Sequence, residues 1–145
     1  MNNPDNHVKL EIDARSENVS LARVVATAFI TPLDPTVGEI SDIKTAVSEA
    51  VTNAIIHGYG EHAGTVNIGL SSTGRNIIIE VSDSGVGIEN IANAREPLFT
   101  TKPEMERSGL GFTVMESFMD EVLISSTLGM GTKITMKKRL ASGEQ

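Results

Sequence analysis

The segment TVGEISDIKTAVSEAVTNAIIHG, residues 36–58, constrains the fold more than any other part of the chain. At about 100° per residue it sets Ile40, Ile43, Val47, Val51 and Ala54 on one helical face, and Gly58 reads as its C-cap. A helix that long and that one-sided needs an apolar layer beneath it. The flanking sequence offers strands for that layer: VKLEIDA near the start, TVNIGLSS and RNIIIEVSD joined by a turn around Thr73 and Gly74, and a closing hairpin in VLISSTLGMGTKITMKKR. Two more helices are expected. Ser16 can cap one through ENVSLARVVATAFI, which Pro32 and Pro35 end, and LGFTVMESFMDE reads as another with Phe112, Met115 and Met119 inward. Consecutive hairpin strands with inserted helices predict an α+β sandwich: a mixed, largely antiparallel sheet with helices packed on one face.

The chain has 145 residues, which suits one domain over residues 1–145. It holds no cysteine, so a disulfide framework and a thiolate metal site are both excluded, and the cytoplasm is the default location. The longest apolar run, Val24 to Ile30, is far below the ~20 residues that cross a bilayer, so no membrane insertion is expected. A net charge of −7 argues against direct nucleic-acid binding, which draws on clustered Lys and Arg. The one basic run, Lys137 to Arg139, ends the last predicted strand and reads as a solvated edge.

Three polar features stand apart from this packing pattern. Glu49 lies about 200° round the helix from Val47, and Asn53 about 40° further, so the two share a side away from the core face. That side is either simply solvated or one wall of a cleft, where a carboxylate deprotonates a nucleophile and an amide oxygen ligates a hard metal. His57 continues the spacing of four and suits a helix end. DSGVG, Asp83 to Gly87, puts a carboxylate at a strand end beside two glycines. RSGLGF, Arg107 to Phe112, is a second glycine pair at a predicted helix start, where free backbone N–H groups attract phosphate. Neither cluster fits the P-loop or the dinucleotide fingerprint. From Ser82 to Gly111 the pattern is irregular, with a short helical candidate in ENIANARE, and a stretch that long suggests a lid or binding loop.

An E-x-x-x-N helix, a strand with D-x-G-x-G, and a loop with G-x-G opening a helix, in that order, resemble the ATP-binding (Bergerat) fold of gyrase, the ninety-kilodalton heat-shock chaperone, histidine kinases and mismatch-repair ATPases. SEAVTNAIIHGY, EPLFTTKPEMERSGLGFTVMESFMDEV and LDPT further resemble the anti-sigma F factors, small serine kinases of endospore-forming bacteria. The resemblance implies a cofactor, ATP or ADP with Mg²⁺. It implies that Asn53 ligates Mg²⁺, that Glu49 is the general base, and that Asp83 accepts from the adenine amino group with Gly85, Gly87 and Thr132 around it. It makes PLFTTKPEMERSG, with Thr100, Thr101 and Lys102, the lid over the triphosphate. Arg107 would reach the γ-phosphate, and Ser108, Gly109, Leu110 and Gly111 would supply the phosphate loop.

The same resemblance implies sequestration of a sporulation sigma factor, phosphorylation of a serine on an anti-anti-sigma protein, a homodimer, and a partner contact at Arg23. The general-stress anti-sigma kinases share the catalytic positions, and a binding module that uses ATP without chemistry is the rival from another class. Ser82 and Ser84 depart from the family, whose members carry a basic and an acidic residue around this aspartate. The loop GYGEHAG has no role that the resemblance supplies.

Overall fold

The computed structural model describes residues 3–60, 63–86 and 111–141. Five strands form one sheet: β1 (Asn6–Asp13), β2 (Thr65–Thr73), β3 (Asn76–Asp83), β4 (Glu121–Thr127) and β5 (Gly131–Arg139), in spatial order β1-β2-β3-β5-β4. All four pairings are antiparallel, so the expected largely antiparallel sheet contains no parallel pair among the described strands. The helices α1 (Asn18–Ile30), α2 (Val37–Asn53) and α3 (Phe112–Phe118) accompany it.

Alternation along the strands decides which face they cover. Val66, Ile68 and Leu70 on β2, Ile77, Ile79 and Val81 on β3, and Ile134 and Met136 on β5 are buried, while their sequence neighbours are partly or fully exposed. Against that apolar face lie Ala22, Ala26, Phe29 and Ile30 of α1, Ile43, Ala46, Val47, Ala50 and Val51 of α2, and Phe112 and Met115 of α3, with Met119 just beyond it. The opposite face is polar, with exposed pairs Lys133–Glu80 at 3.7 Å and Lys137–Glu121 at 3.8 Å.

The helix ends are set by local chemistry. Thr36 caps α2: the Glu39 N–H donates to Thr36 Oγ1 (3.0 Å), and the Thr36 N–H donates to Glu39 Oε1 (2.8 Å). The second carboxylate oxygen of Glu39 accepts from the Ala141 N–H (2.7 Å), so this box also anchors the chain after β5. Burial pushes the Glu39 carboxyl up, but the N–H groups of Thr36 and Ala141 outweigh it and hold the pKa below the usual value.

Three local expectations are corrected. Ser16 does not cap α1; Glu17 stands at the N-cap without a side-chain bond, and the chain enters through backbone turns, Asn18 N–H to Arg15 O (2.9 Å) and Val19 N–H to Ser16 O (3.1 Å). Gly58 does not close α2. The helix widens into a π-helical turn, Ala54–Tyr59, in which Gly58 is buried, and Gly60, with φ of 64°, ends it. Lys138 is not a solvated edge residue. It occupies an inward position of β5, donates from Nζ to the Phe118 carbonyl at the end of α3 (2.7 Å), and lies 3.6 Å from the Asp42 carboxylate on α2. The helix expected in residues 89–96 lies outside the described residues.

Candidate functional site

The polar side of α2 is made of two unlike groups. Asn53 is 6% exposed, one of two buried polar residues among those described, while Glu49, one turn earlier, is half-buried. Burial pushes the Glu49 carboxyl above its ordinary value, which makes it a stronger base than a solvated glutamate. Gly111 explains how the carboxylate is enclosed. It stands at the N-cap of α3 with φ of 69°, and a Cβ there would collide with Glu49 Oε1 and come within 3.1 Å of Glu49 Cβ. Only glycine allows both the left-handed backbone and this closeness. Gly111 of the expected phosphate loop is thus beside the expected base.

Asp83 ends β3, and three glycines pack round it. A Cβ on Gly58 would lie 2.8 Å from Asp83 Oδ1 and 2.9 Å from its Cγ. A Cβ on Gly131 would overlap the Asp83 carbonyl, and one on Gly85 would overlap the Gly58 carbonyl. The Gly85 N–H donates to Asp83 Oδ1 (2.8 Å), and the Val86 N–H donates to the Gly58 carbonyl (2.9 Å). Desolvation raises the Asp83 pKa, opposed by the Gly85 and Thr132 backbone N–H groups. Thr132 is the direct cross-strand partner of Asp83.

The π-helical turn makes this closeness possible, because the same turn that sets Gly58 on Asp83 carries Tyr59 to the sheet end. The Tyr59 hydroxyl donates to the Thr65 carbonyl (2.6 Å) and accepts from the Ser84 N–H (2.8 Å), tying α2 to the ends of β2 and β3. Glu49, Asn53 and the Gly58–Asp83 contact therefore follow one another along one continuous element. His57 is partly buried within that turn. Arg23 on α1 faces the same region: with Val37, Ile40, Ser41, Lys44 and Ser48 it lines a groove of about 440 Å³ that ends at Glu49.

Of the residues expected from sequence, Glu49, Asn53, Asp83, Gly85, Gly111, Thr132 and Arg23 are described. Gly87, Thr100, Thr101, Lys102, Arg107, Ser108, Gly109 and Leu110 lie outside the described residues, as does the lid, 97–109. Gly58, Tyr59 and Gly131 were not singled out for the site. Gly58 and Tyr59 stand in the motif SEAVTNAIIHGY itself, and Gly131 immediately precedes Thr132, so proximity to the motifs was the available signal.

Among the described residues no cluster of three or more acidic, His or Cys side chains could cage a metal. A magnesium ion does not need one, since it commonly takes one or two protein oxygens and completes its octahedron with phosphate and water. A buried amide beside a half-buried carboxylate fits that minimal demand.

A five-stranded antiparallel sheet under helices, with a carboxylate and an amide on the long helix and an aspartate at a strand end, defines a histidine kinase-like ATPase domain. That family matches residues 12–138, and the chain belongs to it. Within it, the anti-sigma F factors are close relatives. The one from Clostridium perfringens is 58% identical over 137 residues, covering 94% of this chain and 98% of its own. Those of Clostridium acetobutylicum and Geobacillus thermodenitrificans are 56% and 54% identical, each covered over 96% of its length by 94% and 96% of this chain. The chain is a member of the anti-sigma F factor family. Among solved structures, the RsbU and RsbW domains of a Mycobacterium tuberculosis protein align over 94% of this chain and 32% of that one, with a TM-score of 0.67 and 22% identity. The catalytic domain of histidine kinase ThkA aligns over 92% and 96%, with a TM-score of 0.58 and 17% identity, and both share the fold.

Proposed function

We propose that this chain is an anti-sigma factor that binds Mg-ATP, sequesters a sporulation sigma factor, and phosphorylates a serine of an anti-anti-sigma protein. The observation that carries the proposal is the continuity of α2 with its π-helical turn, which links a buried-side base, an oxygen ligand and the strand-end carboxylate in sequence. In this reading the adenine amino group donates to Asp83, and the triphosphate runs back along α2 toward Asn53. Asn53 would hold the magnesium ion through its amide oxygen, and the ion would neutralise charge on the phosphates.

Glu49 acts on the substrate. Its raised proton affinity suits removal of the serine hydroxyl proton as the oxygen attacks the γ-phosphorus, with ADP leaving on the opposite side. The groove from Arg23 to Glu49 leads a protein partner to that base, with Arg23 and Lys44 offering positive charge on an otherwise acidic chain. Gly111 confines the carboxylate from the far side. Arg107 and the lid residues Thr100, Thr101 and Lys102 are assigned to the phosphates, with Ser108, Gly109 and Leu110. The working unit is a cytoplasmic homodimer. Identities of 54–58% to anti-sigma F factors favour this partner set over that of the general-stress kinases.

Incubation with γ-labelled Mg-ATP and the cognate anti-anti-sigma protein tests the reading. Acid-stable serine phosphate should form with the wild-type chain, and Glu49→Gln should abolish transfer while keeping nucleotide and sigma binding. Transfer at an unchanged rate in the variant removes Glu49 from the base role. ATP and sigma binding without any stable phosphoserine leaves an ATP-gated binder and overturns the kinase assignment.

A further inference from the structure

We propose that Ser126 is a positioning residue that makes the site selective for a 6-aminopurine, by committing the hydroxyl proton of Thr132 away from the nucleotide. The proposal rests on the nucleobase site described above and goes one residue deeper into it. Ser126, Thr132 and Asp83 form a row across three adjacent strands: Ser126 pairs with Thr132 in the β4–β5 register, and Thr132 with Asp83 in the β3–β5 register. All three have the parity of the buried residues Val122, Ile134 and Val81 on their own strands, so they share the helix-covered side of the sheet, at the end where Gly58 reaches Asp83.

The direction of each hydrogen bond follows from counting protons. Ser126 Oγ is 3.1 Å from the Gly131 carbonyl and 2.8 Å from Thr132 Oγ1. A serine hydroxyl has one proton, a carbonyl has none, and a threonine hydroxyl has one. If Ser126 gave its proton to Thr132, two oxygens with only lone pairs would face each other across the Ser126–Gly131 contact. Of these two contacts, both hold a proton only in the arrangement in which Ser126 donates to Gly131 and Thr132 donates to Ser126.

Thr132 then turns lone pairs toward the pocket. Its neighbour Asp83, when ionised, is also acceptor-only, and two of its acceptor positions are already taken by the Gly85 and Thr132 N–H groups. The floor of the base site thus offers acceptors side by side. An exocyclic amino group satisfies such a floor, whereas a 6-oxo group sets oxygen against oxygen. Ser126 touches no nucleotide in this scheme; it removes the one proton with which Thr132 could welcome a 6-oxo purine.

The test is calorimetric titration of Mg-ATP and Mg-ITP, which differ at position 6 and the adjoining ring nitrogen, into the full chain and its Ser126→Ala, Ser126→Thr and Asp83→Asn variants. Ser126→Ala should narrow the ATP preference, read as Kd(ITP)/Kd(ATP), by about threefold to tenfold, the worth of one neutral hydrogen bond. Ser126→Thr keeps the hydroxyl and should keep the ratio. A loss of stability alone would weaken both nucleotides together and leave the ratio unmoved. A ratio within twofold of wild type in Ser126→Ala, with wild-type preference lost in Asp83→Asn, overturns the role of Ser126 alone. Wild-type protein that does not prefer ATP, or whose preference survives Asp83→Asn, overturns the nucleobase site and this inference with it.

Discussion

Gly58→Ala should cripple nucleotide binding without altering any group assigned to touch the nucleotide. The added Cβ would sit 2.9 Å from Asp83 Cγ, and carbon atoms rest at about 3.5 Å or more, so the carboxylate must retreat by about 0.6 Å. Moved directly away from the Gly85 N–H, its 2.8 Å bond would lengthen to about 3.4 Å, near the limit of a hydrogen bond. Asp83 has little room to yield, because the Gly131 approach fixes its backbone from another side. A hydrogen bond to a charged group contributes about 1.5–3 kcal/mol, so misplacing the acceptor should weaken Mg-ATP binding about tenfold to a hundredfold. Folding should suffer less. Overpacking costs about 1–3 kcal/mol, and replacing a helical glycine by alanine returns about 0.5–1 kcal/mol, so Tm should fall by no more than about 10 °C. Titration calorimetry with Mg-ATP beside a thermal scan in the same buffer separates the two effects. A variant that binds ATP within twofold of wild type would show that the carboxylate either relaxes freely or does not hold the base.

Glu49 makes a stability prediction of definite sign. Burial raises the folded-state pKa of Glu49 above its ordinary 4.5, so the ionised form disfavours folding: the relief is complete below that value and is lost as pH rises through the folded pKa. Glu49→Gln should therefore be more stable than wild type at pH 7–8, by less than about 1 kcal/mol because the group is partly in water, and the difference should vanish near pH 4. A variant less stable at pH 7, or a gap that persists at pH 4, contradicts this. At the other end of α2, Thr36→Ala removes the capping box and should cost about 1 kcal/mol, a few degrees in Tm, while ATP affinity stays the same. An unchanged melting curve would show that Glu39 and Ala141 hold this end by themselves.

The residues that were legible from sequence are those whose neighbours in the chain decide their conformation. The apolar spacing of Ile43, Val47 and Val51 and the alternation of Ile77, Ile79 and Val81 fix the long helix and the central strand, and each is buried as that pattern requires. The hairpin turn after Thr73 and the inward set Phe112, Met115 and Met119 follow for the same reason. The capping box was equally open to reading, since Thr36 and Glu39 carry its T-x-x-E spacing. Lys138 was hidden by its company in a basic run, although its parity with Ile134 and Met136 marks an inward position.

The π-helical turn was not legible, because nothing local demands it. It depends on Tyr59 meeting Thr65 and Ser84, residues brought together only by the completed β2–β3 pair. With a glycine in front of it at a helix end, the simpler C-cap reading prevails. The part of the site that depends on that turn, the seating of Gly58 on Asp83, was invisible for the same reason. Glu49, Asn53 and Asp83 stand out in sequence through the order and spacing of motifs, each anchored to its own helix or strand, whereas Thr132 enters only through the family resemblance.

The proposed function requires one nucleotide to span α2 from the strand-end carboxylate to the amide of Asn53. A crystal structure of the chain with Mg²⁺ and a non-hydrolysable ATP analogue tests that most directly. The adenine amino group should lie on Asp83, beside Thr132, and the metal within bonding distance of Asn53 Oδ1, with Glu49 facing the γ-phosphate from the groove that Arg23 lines. A nucleotide bound elsewhere on the chain, or a base turned away from Asp83 with the metal clear of Asn53, would contradict it.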